Sequence, residues 1–195
     1  MSSNFFAMVE RMKLIDRWAL MNNTGKENIA EHSHTVAVIA HALALIGNKK
    51  FGCSYNPERC ALLALYHDTT EVITGDMPTP VKYYNDQIRQ AYKEIESTAG
   101  DRLLAMLPQE FQEDYDPCFH PTEADAPLWK LVKAADKISA LIKCIEEDRM
   151  GNREFEMALR AQEEKVAAMD LPEVVYFRET FLPAYYLTLD EHTKS

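Results

Sequence analysis

Glycine is scarce in this chain, six residues in 195, and nowhere do apolar and polar residues alternate with the period of two that a half-buried strand needs. These absences exclude a sheet-built fold and leave an all-α one. Cys53, Cys60, Cys118 and Cys144 show neither CxxC pairing nor zinc-ribbon spacing, which predicts reduced thiols in a soluble, cytoplasmic protein. No uninterrupted apolar stretch approaches the ~20 residues that span a bilayer. The apolar start Phe5-Phe6-Ala7-Met8-Val9 is broken by Glu10, Arg11 and Lys13, so it does not read as a secretory signal. Basic residues are also few: 21 Lys and Arg stand against 31 Asp and Glu, a net charge of −10. That balance excludes a general binder of nucleic-acid polymers or anionic membranes. It leaves room for a small anionic substrate held at one point by a metal ion and a few placed cations.

What the chain does contain is apolar residues at three- and four-residue spacing. Asn4 is placed to cap a first helix carrying Phe5, Met8, Val9, Met12 and Ile15, which delivers Arg17-Trp18 near its end. Met21 to Lys26 reads as a loop. A second helix begins at Asn28 or Ala30 and runs to about Ile46, where Gly47-Asn48 stops it. A third opens with Asn56 as cap and Pro57 at the first helical position, and ends in the apolar run Ala61 to Tyr66. The prolines of Gly75-Asp76-Met77-Pro78-Thr79-Pro80 predict a rigid, non-helical connection. A polar helix from Val81 to Met106, a loop from Leu107 to Pro127 and a helix from Leu128 to Asp148 follow. Two tail helices, Arg153 to Ala168 and Glu173 to Leu189, complete the pattern. No repeat or boundary interrupts it, so residues 1–195 read as one domain, a core over about 5–150 with the helices of 153–189 packed on it.

A few polar residues fall where apolar ones belong. His32 shares a helix face with Val36, Ile39 and Leu43. His67-Asp68 closes the apolar run of the third helix, with Glu71 one turn later. Neighbouring side chains diverge by about 100° on a helix, so His67 and Asp68 can meet one ion only where that helix ends or turns inward. Asp136 lies among Leu131, Val132, Ala135, Ile138, Ala140 and Ile142, where an ionised carboxylate is costly without a cation; Lys137 points about 100° away round the helix. Two imidazoles and two carboxylates, His32, His67, Asp68 and Asp136, suit one borderline divalent ion such as Mn²⁺, Co²⁺, Fe²⁺ or Zn²⁺ better than Ca²⁺. Glu71 is then a free acid beside that ion, and the pattern points to metal-assisted hydrolysis. His34 and His41 read as supporting or structural groups, and His120 and His192 carry no signal.

With these residues in this order, the chain resembles the HD-domain phosphohydrolase superfamily, defined by a His, a His-Asp pair and a later Asp. Within it the sequence is most similar to the bacterial 5′-deoxynucleotidases, which hydrolyse deoxyribonucleoside 5′-monophosphates. The blocks that carry the likeness are Asp16-Arg17-Trp18, Glu31-His32-Ser33, His67-Asp68-Thr69-Thr70-Glu71-Val72 and Gly75 to Tyr83, and the likeness runs over about Phe5 to Glu96 and Leu131 to Glu147. Ala99 to Pro127 and Gly151 to Ser195 match poorly. The resemblance implies an HD-domain helical bundle with a central metal site held by His32, His67, Asp68 and Asp136. It implies that Arg17, Trp18 and Asp76-Met77-Pro78-Thr79 meet the substrate beside His32, Asp68 and Asp136, with Glu71 needed for catalysis. It also implies a homodimer and one divalent ion, Co²⁺ or Mn²⁺ first, with Zn²⁺, Fe²⁺ or Cu²⁺ behind.

The chemistry expected is attack of an activated water on phosphorus, in line with the departing sugar O5′. Arg17 holds phosphoryl oxygens, and Glu71 relays a proton as base or acid, with Asp76 as rival donor to O5′. Trp18 is placed to exclude a 2′-hydroxyl by bulk, or else to pack in the core. Two other readings stay open. One is a dNTP triphosphohydrolase of the same superfamily, which calls for more cations near the site. The other is a non-enzymatic nucleotide-binding scaffold with a degenerate site. Val72 after Glu71, where a second acid is expected, and the missing Gly-Tyr-Pro signature speak against (p)ppGpp and cyclic-dinucleotide hydrolases.

Overall fold

Residues 2–82 and 84–193 are described by a computed structural model, Thr79 by its backbone only. Among them there is helix and no strand; a lone antiparallel bridge joins Asp16 to Asn28. Helix α2, Ile29–Lys50, lies at the centre, packed most extensively on α3, Pro57–Tyr66, and α8, Ala126–Arg149. Asn28 begins α2 with a capping box: its side chain accepts from the Glu31 amide at 3.0 Å and its own amide donates to the Glu31 carboxylate at 3.2 Å. Asn56 caps α3 in the same way, accepting from the Arg59 amide at 2.8 Å.

One side of α2 buries Val36, Ile39, Ala40 and Leu43 against Leu63 and Ala64 of α3 and Leu131, Ala135, Ile138 and Ile142 of α8. The tail joins this cluster: Val166 of α9, Glu156–Ala167, and Val174 and Phe177 of α10, Pro172–Thr180, are buried in it. By length and composition α2 could cross a membrane, but half of its most apolar stretch is buried inside the protein, as befits a core helix. All four cysteines are free, and burial pushes the thiols of Cys60 and Cys144 up to about 12.

The structure departs from the sequence expectations in several places. The first helix, α1, covers only Phe5–Val9 before tightening into a 3₁₀ turn over Glu10–Leu14; Asn4 makes no side-chain cap, and Arg17-Trp18 lie beyond on the bridged segment. Gly47 does not stop α2. It is a contact point inside it, because a Cβ there would lie 2.5 Å from the Tyr55 ring and 2.9 Å from the Glu173 carboxylate. After the short α4, Glu71–Thr74, only Gly75 to Pro78 is non-helical; Thr79–Lys82 forms a helical turn, α5, with Pro80 early in it, where a missing N–H costs nothing. The polar helix therefore starts anew as α6, Asp86–Leu104, capped by Asn85. Its expected neighbour Tyr83 lies outside the described residues.

The expected loop 107–127 holds a helix, α7, Gln109–Phe119, with Pro117 in its last turn. Tyr115 and Phe119 pack on Phe5 and Tyr66, forming a second, smaller core with Leu103 and Leu107. The final expected helix ends at Thr180; Leu182–Tyr186 is a 3₁₀ turn around Pro183, and a four-residue α11, Leu189–His192, follows.

Candidate functional site

His67 is the residue at which α3 ends, so its ring and the Asp68 carboxylate turn to the same side. His67 Nε2 lies 3.1 Å from Asp68 Oδ2, and His32 Nε2, from the first turn of α2, lies 3.5 Å from the same oxygen. Asp136, near the middle of α8, brings Oδ1 to 3.3 Å from His32 Nε2. One donor atom from each of His32, His67 and Asp68 falls within 4.8 Å of the others, and Asp136 adjoins the group through His32. The fold thus gathers all four expected ligand residues.

The far nitrogens of both rings explain why these atoms suit a cation. His67 Nδ1 lies 2.6 Å from the Ala64 carbonyl, which can only accept, so Nδ1 carries the hydrogen and Nε2 presents a lone pair. His32 Nδ1 is 3.2 Å from the Ser139 hydroxyl. Both Nε2 atoms are buried with no hydrogen-bond partner, and a lone pair so placed is one that a cation would satisfy. The residues present therefore fit a divalent ion. The carboxylates ask for the same charge. Burial alone would raise Asp68, yet the imidazoles hold it down at about 2, and Asp136 is likewise held well below its ordinary value. Burial would lower His67, but Asp68 and Asp136 outweigh it and raise its pKa.

Asp136 differs from expectation in one respect. Its Oδ2 is 2.9 Å from the Lys137 ammonium, so Lys137 does reach it, the long side chain curling back along the helix.

Glu71 opens α4 and is 5% exposed, with Oε2 lacking a partner. Burial first, then the charges of Asp68 and Asp76, push its carboxyl up to about 9 against the pull of Arg17 and Lys82. Asp76, Met77 and Pro78 are half-buried on the turn after α4, which Gly75 opens in a left-handed conformation, φ +74°.

Arg17 and Trp18 are held by a residue the sequence reading did not single out. Glu27 Oε2 accepts from Arg17 Nε at 3.2 Å and from Trp18 Nε1 at 3.1 Å, while Oε1 lies 4.0 Å from His32 Nδ1. Arg17 also reaches Asp68 at 3.6 Å. Trp18 is half-buried, its ring 5.5 Å from Phe155, and its backbone takes φ +57°, rare for any side chain but glycine. His34 is exposed and His41 half-buried, and neither belongs to the ligand group among the described residues. His120, silent in the sequence, lines the adjoining cavity and pairs with Asp116 at 2.8 Å.

The profile of the 5′-deoxynucleotidase YfbR-like family matches residues 4–185. A 5′-deoxynucleotidase of Vibrio atlanticus strain LGP32 is 54% identical over 189 residues, 97% of each chain. One from Cronobacter sakazakii is 50% identical over 192 residues, 97% of this chain and 95% of that one.

The chain belongs to this family. As a member of the 5′-deoxynucleotidase YfbR-like family it is a phosphohydrolase, and the likeness runs through 99–127 and most of the tail, beyond the blocks the motifs mark. The fold is that of HD-domain phosphohydrolases: one from Listeria innocua superposes with a TM-score of 0.79 at 23% identity, over 97% of this chain and 92% of that one. The cyanophage S-2L HD phosphohydrolase DatZ, in a structure bound to dA and one catalytic Zn²⁺ ion, gives a TM-score of 0.62 at 19% identity, over 93% and 96% of the two chains.

Proposed function

We propose that this enzyme hydrolyses deoxyribonucleoside 5′-monophosphates to deoxyribonucleoside and phosphate, using one divalent ion held by His32, His67, Asp68 and Asp136. The observation that carries the reading is the pair of buried, unpartnered Nε2 atoms set against two carboxylates, with a buried acid, Glu71, one turn away. Two nitrogens and two carboxylates suit a borderline divalent ion such as Mn²⁺, Co²⁺, Fe²⁺ or Zn²⁺, and the family resemblance puts Co²⁺ or Mn²⁺ first. Such an ion supplies Lewis acidity, making water acidic enough to attack phosphorus near neutral pH.

The protein's own groups do the rest. Arg17, anchored through Nε to Glu27, offers its remaining N–H groups to the phosphoryl oxygens. Glu71, whose environment favours the protonated form, gives its proton to the departing O5′ and regains one from the attacking water, with Asp76 as the rival donor. Trp18, fixed by Glu27 and Phe155, leaves no room for a 2′-hydroxyl, and Met77 and Pro78 form the facing wall. We read residues 1–195 as one domain, acting in the cytoplasm as the homodimer the family resemblance implies.

The test is phosphate release from dAMP, AMP and dATP with Co²⁺ or Mn²⁺. Orthophosphate from dAMP, at least tenfold faster than from AMP, is expected; triphosphate from dATP would replace this reading. Glu71→Ala should bind metal and dAMP yet lose more than 10²-fold in kcat, and full turnover in that variant would remove Glu71 from the chemistry.

A further inference from the structure

Beside the ligand group opens a cavity of about 530 Å³ that shares His67, Asp68 and Asp136 with it but does not include Arg17 or Trp18 in its walls. Two helices face one another across it. From α6 come Arg89, Lys93 and Glu96, spaced four and three residues apart; from α8 come Trp129, Lys133 and Asp136, with the same spacing. That repeat keeps each set on one helix face.

The charges in this cavity do not cancel. Five cations line it, Lys82, Arg89, Lys93, Lys133 and Lys137, in a chain whose net charge is −10. Three acids line it too, and each already has a cationic partner: Asp68 faces Arg17 at 3.6 Å, Glu96 takes Lys82 at 2.9 Å and Asp136 takes Lys137 at 2.9 Å. Arg89 pairs, among the described residues, only with Asp86, whose side chain is 90% exposed. Among the described residues, Lys93 and Lys133 have no carboxylate within 4.0 Å. Two uncompensated ammonium groups on opposite walls of a concave, partly apolar space focus a positive potential there. An acidic protein gains no stability from that arrangement, but a bound anion does.

We propose that this cavity contains a second anion subsite, formed by Lys93 and Lys133, that takes a phosphate dianion next to the reacting centre. Its place in the reaction rests on the phosphomonoesterase reading. Hydrolysis adds water across the P–O5′ bond, giving a neutral nucleoside and hydrogen phosphate; the nucleoside leaves on the Arg17 and Trp18 side, and the anion is drawn into the lysine-lined chamber. The same chemistry would fit the distal phosphate of a nucleoside diphosphate, and the two sources can be told apart.

The experiment compares the Mn²⁺-loaded wild-type enzyme with the double variant Lys93→Gln, Lys133→Gln. Both residues are exposed, so folding is preserved. Inhibition of dAMP hydrolysis by inorganic phosphate and by dADP is measured, with calorimetric binding of inorganic phosphate as a readout independent of turnover. The expected result is a rise of at least tenfold in Ki and Kd for phosphate, with kcat and KM for dAMP within twofold of wild type. Weakening confined to dADP would retain the subsite and assign it to the distal phosphate of a nucleotide. Unchanged inhibition by both, with unchanged calorimetry, overturns the proposal. Absence of dAMP turnover in the wild type would sink the phosphomonoesterase reading while the calorimetric comparison still decides the subsite.

Discussion

Single residues in this protein were legible where their polarity contradicted their setting. His32 and Asp136 stood on faces otherwise filled with aliphatic side chains, and the fold sets them 3.3 Å apart. Glu27 gave no such sign. It lies in the polar stretch Gly25-Lys26-Glu27-Asn28 ahead of α2, where a solvated carboxylate is the ordinary outcome, and only the bridge between Asp16 and Asn28 turns it inward. Its carboxylate orients Arg17 and Trp18 together and faces His32. Glu27→Gln keeps the shape but removes the charge that both N–H groups point to. We expect kcat/KM for dAMP to fall by about 10- to 100-fold with the circular dichroism spectrum unchanged. Wild-type kinetics in that variant would reduce Glu27 to a packing residue.

At the level of elements, periodicity located α2, α3 and α8 because each must bury a broad apolar stripe. It failed for α7, where Asp114, Asp116 and Pro117 hide the apolar set Tyr115, Cys118 and Phe119. It also misread Gly47, since a helix-interior glycine that makes room for another element has the same sequence signature as one that ends a helix. The join between α8 and the loop ahead of α2 could not be read at all, because it depends on pairs more than a hundred residues apart. Glu147 accepts from the amides of Thr24 and Gly25 at 2.9 and 3.1 Å, from Asn152 at 2.6 Å, and from Lys143, which also bonds the Gly25 carbonyl. The Lys143 and Glu147 side chains are 5% and 1% exposed. Glu147→Ala leaves Lys143 buried without its counter-charge, so a loss of about 3 to 5 kcal/mol is expected from urea unfolding. A loss below about 1 kcal/mol would mean that water replaces the carboxylate.

For the molecule as a whole, the two tail helices show how far composition can carry an argument. Their sequences announced helices, but not that Val166, Val174 and Phe177 complete the central core. Acid stability is also a property of the whole. Arg59 forks onto Asp125 with two bonds of 3.0 Å and reaches the Pro117 carbonyl, tying α3 to α7 and to the start of α8. That pairing holds Asp125 down at about 2; for Glu147, burial works upward but the hydrogen bonds to Lys143, Asn152 and the loop amides prevail, also at about 2. A carboxylate lowered on folding stabilises the native state above its unfolded pKa and ceases to do so as pH falls through its folded one. The pairings should therefore contribute about 2 to 3 kcal/mol each at pH 7, fading between pH 4.5 and 2. Urea midpoints of metal-free protein at pH 7, 4.5 and 3 would show the decline, and Asp125→Asn should flatten part of it. Equal midpoints in the variant and the wild type at every pH would exclude Asp125 as a source.

The left-handed backbone at Trp18 sets two demands on one position. Any β-carbon is crowded there, and a glycine would relax the chain at once, yet it would also delete the ring that the proposed discrimination between sugars depends on. Selection for heat resistance alone would drift toward the smaller residue and a more permissive enzyme. An indole at that position thus joins a strained backbone to the ring on which the proposed sugar selectivity rests, so the two cannot be optimised separately.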